Sequence, residues 1–111
     1  MSEAYKIMAN FLKNLSDSRR IEILYLLRGT EKHATEIQEA LGKSQSSISR
    51  YLKVLQEEKL ITVEKKENDN MKYYKIRDPY LFKIFSSLIS FLVNINEDRM
   101  DALQDLSKKD I

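Results

Sequence analysis

The chain has 111 residues, 42% of them hydrophobic and 32% charged, with a formal net charge of +2 and no cysteine. That length and apolar content suit one compact domain over 1–111, and the lack of cysteine excludes disulfide frameworks, thiolate metal sites and cysteine nucleophiles. His33 is the only histidine, so no imidazole pair is available for a metal; the most apolar run, Tyr80 to Ile95, carries Lys83 and is too short to span a bilayer. The expected setting is therefore cytoplasmic, with no membrane partner.

Two glycines and one proline punctuate the sequence, each where a periodic segment should stop or start. From Glu3 to about Lys13, the residues Ala4, Ile7, Met8, Phe11, Leu12 and Leu15 fall at helical spacing. Ser16 or Asp17 can cap a second helix, in which Ile21, Ile23, Leu24 and Leu27 form a wide apolar stripe before Gly29. A short third helix from about Ala34 to Leu41 buries Ile37 and Leu41, and His33 just before it reads as a capping or surface residue, not a ligand. Gly42 offers the left-handed conformation needed for a sharp turn, and Ser44 can cap the helix that follows.

That fourth helix, from Gln45 to about Glu58, has two unlike sides. At about 100° per residue, Ile48, Leu52 and Leu55 share one edge, while Ser46, Ser49, Arg50 and Lys53 point largely away from it. Small hydroxylated residues allow close approach to a duplex, Arg and Gln can pair with guanine and adenine edges, and Lys neutralises phosphate. Gln45, Ser46, Ser49 and Arg50 are the candidates for base-edge or phosphate contact. Ser44 and Ser47 are expected to cap the helix and position its amides, with Lys43 and Lys53 on phosphates. Helix, glycine turn and polar-faced helix make a helix-turn-helix.

After Leu60 the period becomes two. Ile61, Val63 and Lys65 alternate with Thr62, Glu64 and Lys66, and Tyr74 and Ile76 with Tyr73, Lys75 and Arg77, around a hairpin tip at Glu67-Asn68-Asp69-Asn70. Tyr73 and Tyr74 are expected as one packing and one exposed residue. A hairpin here is a wing, and Lys65, Lys66 and Lys72 bracket its tip within reach of an adjacent minor groove or its phosphates. Between Lys43 and Arg77 nine Lys or Arg stand against five Asp or Glu, whereas the rest of the chain has ten against twelve; the positive excess lies with the motif.

Pro79 opens a last helix in which Leu81, Ile84, Phe85, Leu88, Leu92 and Ile95 mark one stripe, widened by Tyr80, Phe82, Ile89, Phe91 and Val93. Its surplus apolar surface, with that of the first helix, is expected to form a dimer seam. The same residues have the chemistry to enclose a small hydrophobic effector between subunits, but a dry seam accounts for them without one. The acidic end from Glu97 to Ile111 reads as a solvated helix extension or a frayed tail.

The run Leu15-Ser16-Asp17-Ser18-Arg19-Arg20-Ile21-Glu22-Ile23-Leu24, followed by Ser44-Gln45-Ser46-Ser47-Ile48-Ser49-Arg50-Tyr51-Leu52-Lys53-Val54-Leu55, resembles the ArsR-like winged-helix repressors. The similarity extends from about Phe11 to Pro79 and includes Lys72 to Arg77 as the second wing strand. The resemblance implies a homodimer that binds a palindromic operator and represses. Many relatives sense metals through cysteines on the helix before the recognition helix, or through His and acidic residues on the last helix. The matching stretches here, Thr35 to Leu41 and Asn94 to Leu106, hold no Cys and no His pair, which speaks against metal sensing. Lys59 stands where the family usually ends this helix with Gly, and Tyr51 where it often has His.

The expected architecture is thus mainly α with a small β-hairpin, a winged helix-turn-helix of order α-α-α-α-β-β-α. Residues 11–79 form the helix-turn-helix and wing, and 1–15 and 80–106 the dimerisation helices. The expected partners are double-stranded DNA and a second copy of the chain. No cofactor is implied, and no enzyme: Glu57 and Glu58 have no His, Cys, phosphate loop or paired acid at useful spacing. The rival reading is a winged helix used as a protein-interaction module in a larger assembly.

Overall fold

The computed structural model describes residues 2–95 and 100–108, which fall into two compact units, one within 1–77 and the other within 78–111. In the first unit α1 (Ser2–Leu15) and α2 (Ser18–Leu26) precede a strand β1 (Glu31–His33), then α3 (Ala34–Leu41), α4 (Gln45–Glu57), β2 (Ile61–Lys65) and β3 (Lys72–Ile76). The second unit holds α5 (Leu81–Ile95) and α6 (Met100–Lys108).

Local chemistry sets the helix ends. Asp17 caps α2, its side chain accepting from the Arg19 amide at 2.8 Å. His33 caps α3 in a reciprocal box: its Nδ1 accepts from the Glu36 amide at 3.4 Å while the Glu36 carboxylate accepts from the His33 amide at 3.1 Å. Gly42 closes α3 at φ 65°, and the Ser44 hydroxyl accepts from the Ser47 amide to start α4. At the other end of α4, Lys59 adopts φ 60°, the left-handed conformation that the family's usual glycine would take.

Ile23, Leu24, Leu27, Ile37, Ile48, Leu52, Leu55 and Ile61 are buried, so α2, α3, α4 and the start of β2 contribute the apolar interior of the first unit. Polar bonds fix where α4 ends. Asn14 Nδ2 donates to Glu58 Oε1 at 2.5 Å, and Arg20 Nε donates to the Asn14 carbonyl at 2.5 Å, tying the end of α1 to the ends of α2 and α4.

The sheet is three-stranded and antiparallel in the order β1-β3-β2, one strand more than the hairpin expected from sequence. Glu31, Lys32 and His33 are too few to show a period, and their pairing with Lys75, Tyr74 and Tyr73 depends on a segment some forty residues away. The hairpin tip forms where expected. Asn70 takes φ 59°, and the amides of Asn70 and Lys66 donate to the carbonyls of Lys66 and Met71, both at 3.1 Å.

In the second unit α5 buries Leu81, Phe82, Phe85 and Ile89, with the Phe82 and Phe85 rings edge to face at 5.9 Å. Tyr80, Ile84, Leu88, Phe91 and Ile95 remain exposed. Of the solvated helix extension and the frayed tail expected for the acidic end, Met100 to Lys108 form a helix, and it packs on α5 with Leu103 and Leu106 half-buried. Residues 97–99 and 109–111, also covered by that expectation, lie outside the described residues, as does residue 96. No helix among the described residues is long and apolar enough to cross a membrane.

Candidate nucleic-acid interface

The thirteen residues of α4 divide as their spacing requires. Ile48, Leu52 and Leu55 are buried, whereas Gln45, Ser46, Ser49, Arg50 and Lys53 are exposed. Burial of three branched side chains on one edge fixes the helix's rotation, so the opposite edge presents hydroxyl, amide and guanidinium groups together. Lys43 and Ser47 are half-buried and Ser44 is exposed.

The start of α4 is internally ordered. Ser44 Oγ lies 3.2 Å from Ser46 Oγ and donates to Ser47 Oγ at 3.0 Å, which in turn accepts from Arg50 Nη2 at 3.4 Å. Arg50 is therefore held back along the helix toward its N-terminus by one edge of its planar fork, and the fork has further N–H donors for a base edge. The same end carries the positive pole of the helix dipole, which favours a phosphate.

The wing separates its lysines by face. In register, Lys65 stands opposite Lys72, Val63 opposite Tyr74 and Ile61 opposite Ile76, all on the face that carries the buried Ile61. Lys65 and Lys72 are both exposed, and neither has an ion-pair partner among the described residues. Lys66 belongs to the other face, with Glu31, His33, Thr62, Glu64, Tyr73 and Lys75. Its ammonium pairs with Glu31 Oε1 and lies 4.8 Å from the Tyr73 ring centroid. The structure thus brings two of the three expected wing lysines together and turns the third away.

Around Lys66 the polar groups are mutually engaged. Tyr73 donates its hydroxyl to Asp69 Oδ2 at 2.5 Å, Asp69 Oδ1 accepts from the Met71 amide at 3.0 Å, and the His33 ring meets Tyr73 edge-on at 5.8 Å. The hydrogen bond from Tyr73 holds the Asp69 carboxyl below its usual pKa, and the same bond raises that of Tyr73. The hydrogen bond to Glu31 raises the pKa of Lys66. Tyr73 and Tyr74 are both half-buried, so the expected contrast between them is absent: one is held by Asp69 and the other by the sheet face it shares with Val63. Sequence reasoning missed the Glu31 and Asp69 contacts because both depend on β1 pairing and loop geometry, for which no local pattern exists.

Residues 17–63 match the profile of the bacterial regulatory proteins of the arsR family. The arsenical resistance operon repressor of Staphylococcus aureus is 35% identical over 85 residues, 77% of this chain and 80% of that protein. The chain belongs to the ArsR family. It is a transcriptional regulator and not an enzyme. The crystal structure of Rv0081 from M. tuberculosis superposes with a TM-score of 0.76 at 27% identity, covering 86% of this chain and 95% of that one. A winged helix-turn-helix DNA-binding domain of Mycobacterium bovis, described as homodimeric, superposes with a TM-score of 0.67 at 24% identity, covering 88% of this chain and 84% of that one. The fold is accordingly the winged helix-turn-helix, with α3 and α4 as its two helices and β2 and β3 as the wing.

Proposed function

We propose that this ArsR-family chain is a homodimeric repressor that sets α4 of each protomer into successive major grooves of a palindromic double-stranded operator, occluding a promoter. The observation that carries this reading is the exposed Gln45, Ser46, Ser49, Arg50 and Lys53 edge of a helix whose opposite edge is buried. Arg50 and Gln45 read base edges, Ser46 and Ser49 allow close approach, and Lys43, Ser44, Ser47 and Lys53 engage phosphates at the groove rim. Lys65 and Lys72 extend the contact from the wing. The reading face carries no acid: from Lys43 to Leu55 the sequence has none.

Dimerisation uses the apolar surfaces left open on each unit, Tyr5, Ile7, Met8 and Leu12 of α1 and Ile84, Leu88, Phe91 and Ile95 of α5. The homodimer described for the M. bovis domain supports dimerisation itself. Two-fold symmetry places half-sites one helical turn, about 34–36 Å, apart or a multiple of it. The regulator works without metal or cofactor. A chain with no cysteine and one histidine has no thiolate for an arsenical or soft metal. A groove of about 240 Å³ between α5 and α6 is lined by Ile89, Ser90, Val93, Asn94, Gln104 and Ser107, apart from the exposed Ile84, Leu88, Phe91 and Ile95 face assigned to the seam.

Selection of bound sequences from a random DNA pool tests the reading, with an enriched inverted repeat as the expected result. On that repeat Arg50→Ala should cost about 1–3 kcal/mol and relax specificity at one base pair. Recovery of no sequence, together with an affinity for duplex that does not fall with salt, would favour the protein-interaction module instead.

A further inference from the structure

We infer that Lys66 is a strut that positions the wing, and that Lys65 and Lys72 make the wing's phosphate contact without it. The inference rests on the proposed DNA reading for its binding arm only.

Lys66 differs from the Lys65–Lys72 rung by one residue and therefore by a whole face of the sheet. Lys65 and Lys72 are opposed on one rung, an arrangement of like charges that weakens a hairpin unless an anion lies across it. Lys66 has the opposite surroundings: Glu31 takes its ammonium, Tyr73 lies beneath it, and Glu64 and Asp69 add further negative charge. A phosphate approaching Lys66 would meet Glu31, Glu64 and Asp69 around it; the exposed Lys75 of the same face stands opposite Glu31 in register.

What Lys66 does instead follows from what it joins. Glu31 belongs to β1, which leads directly into the His33 cap of α3. Tyr73 belongs to β3 and holds Asp69 at the hairpin tip. The Lys66 carbonyl accepts from the Asn70 amide, so the backbone of the same residue closes the loop. The Lys66 side chain thus joins β1 to β3, and its backbone and Tyr73 carry the connection to the tip, which limits the angles at which the Lys65 and Lys72 rung can be presented.

The test uses Lys65→Gln, Lys66→Gln and Lys66→Arg in the full chain, with a mixed-sequence DNA duplex titrated over a range of potassium chloride. Lys65→Gln should make the slope of log affinity against log salt shallower by about 0.9 per protomer, the signature of one lost phosphate contact. Lys66→Gln should leave the slope unchanged and lower affinity about two- to five-fold, the scale of an exposed ion pair, and Lys66→Arg should restore it. In the free protein, amide hydrogen exchange at Asn70 and Met71 should quicken in Lys66→Gln and not in Lys65→Gln. A slope change for Lys66→Gln equal to that of Lys65→Gln, an unaltered affinity, or unaltered exchange would each overturn the strut. If the wild type shows no salt-dependent duplex binding, the DNA reading falls, while the exchange measurement still decides on the strut.

Discussion

Replacing Lys59 by glycine should make this protein more stable. The residue sits at φ 60° immediately after α4, where the Leu60 amide donates to the Leu55 carbonyl at 3.0 Å and the Lys59 amide to the Gln56 carbonyl at 2.9 Å. This crossed pair of bonds is the Schellman motif, and it demands a left-handed residue between helix and strand. A side chain in that conformation costs about 1–2 kcal/mol. Glycine removes the cost but returns freedom to the unfolded chain, an offset of about 0.5–1 kcal/mol. The net gain is about 0.5–1 kcal/mol. With an unfolding entropy of about 2.1 cal/mol/K per residue over 111 residues, that corresponds to a Tm higher by about 2–4 °C.

Gly42 provides the opposite perturbation. It has φ 65°, and nothing lies within 4 Å of an added Cβ, so Gly42→Ala introduces conformational strain without a clash. It should lower stability by about 1 kcal/mol. Both variants are read by thermal unfolding at one protomer concentration, because association moves the midpoint. If Gly42→Ala lowers Tm and Lys59→Gly fails to raise it, backbone strain is not what Lys59 contributes, and the side chain itself must stabilise the junction.

His33→Ala removes the acceptor of the α3 capping box and should cost about 0.5–2 kcal/mol in denaturant unfolding, with His33→Asn retaining most of the stability. Leu88→Glu places a charge in the exposed apolar surface of α5; on the proposed dimeric reading, sedimentation should show a dimer for the wild type and a monomer for the variant, with duplex affinity falling in parallel. The third expectation concerns pH. Hydrogen bonding to Tyr73 lowers the folded-state pKa of Asp69, so its contribution is present above the ordinary aspartate pKa and is lost as pH falls through the folded value. The carboxyl resonance of Asp69 should titrate below that of a free aspartate and move back toward it in Tyr73→Phe; identical midpoints in the two proteins would rule out the bond.

The parts of this fold that sequence exposes are those encoded within a few residues. Ile48, Leu52 and Leu55 establish the rotation of α4 by periodicity, and Gly42 and Ser44 establish its start through local hydrogen bonding. His33 could be read as a cap because the polar residue precedes a helix with Glu36 three positions on. Lys59 shows that a turn can be located from helix length and strand onset even when the favoured glycine is missing. What stayed hidden is long-range. β1 has three residues and pairs across α3 and α4; its existence decides which lysine of the wing is neutralised, and therefore how the candidate site is composed. The packing of α6 on α5 is hidden for a related reason, since Leu103 and Leu106 among acids offer too narrow a stripe to distinguish a docked helix from a solvated one.

Apart from Lys59, several locally unfavourable choices in this sequence fall on the candidate site. Ser46 and Ser49 occupy exposed positions in α4 where alanine would favour the helix by about 0.5 kcal/mol each. Lys65 faces Lys72 across a hairpin rung where opposite charges would hold it better. One position further along, Lys66 is matched with Glu31, so the chain can neutralise a wing lysine where neutralisation has no cost to binding. Folding alone would correct the serines and the lysine rung as readily as it supplies the Asp17, His33 and Ser44 caps. Conflict between local preference and fold is expected where a surface serves a partner, and here the conflicts involve small hydroxyl groups and unpaired cations, the two kinds of residue a close-fitting polyanion requires.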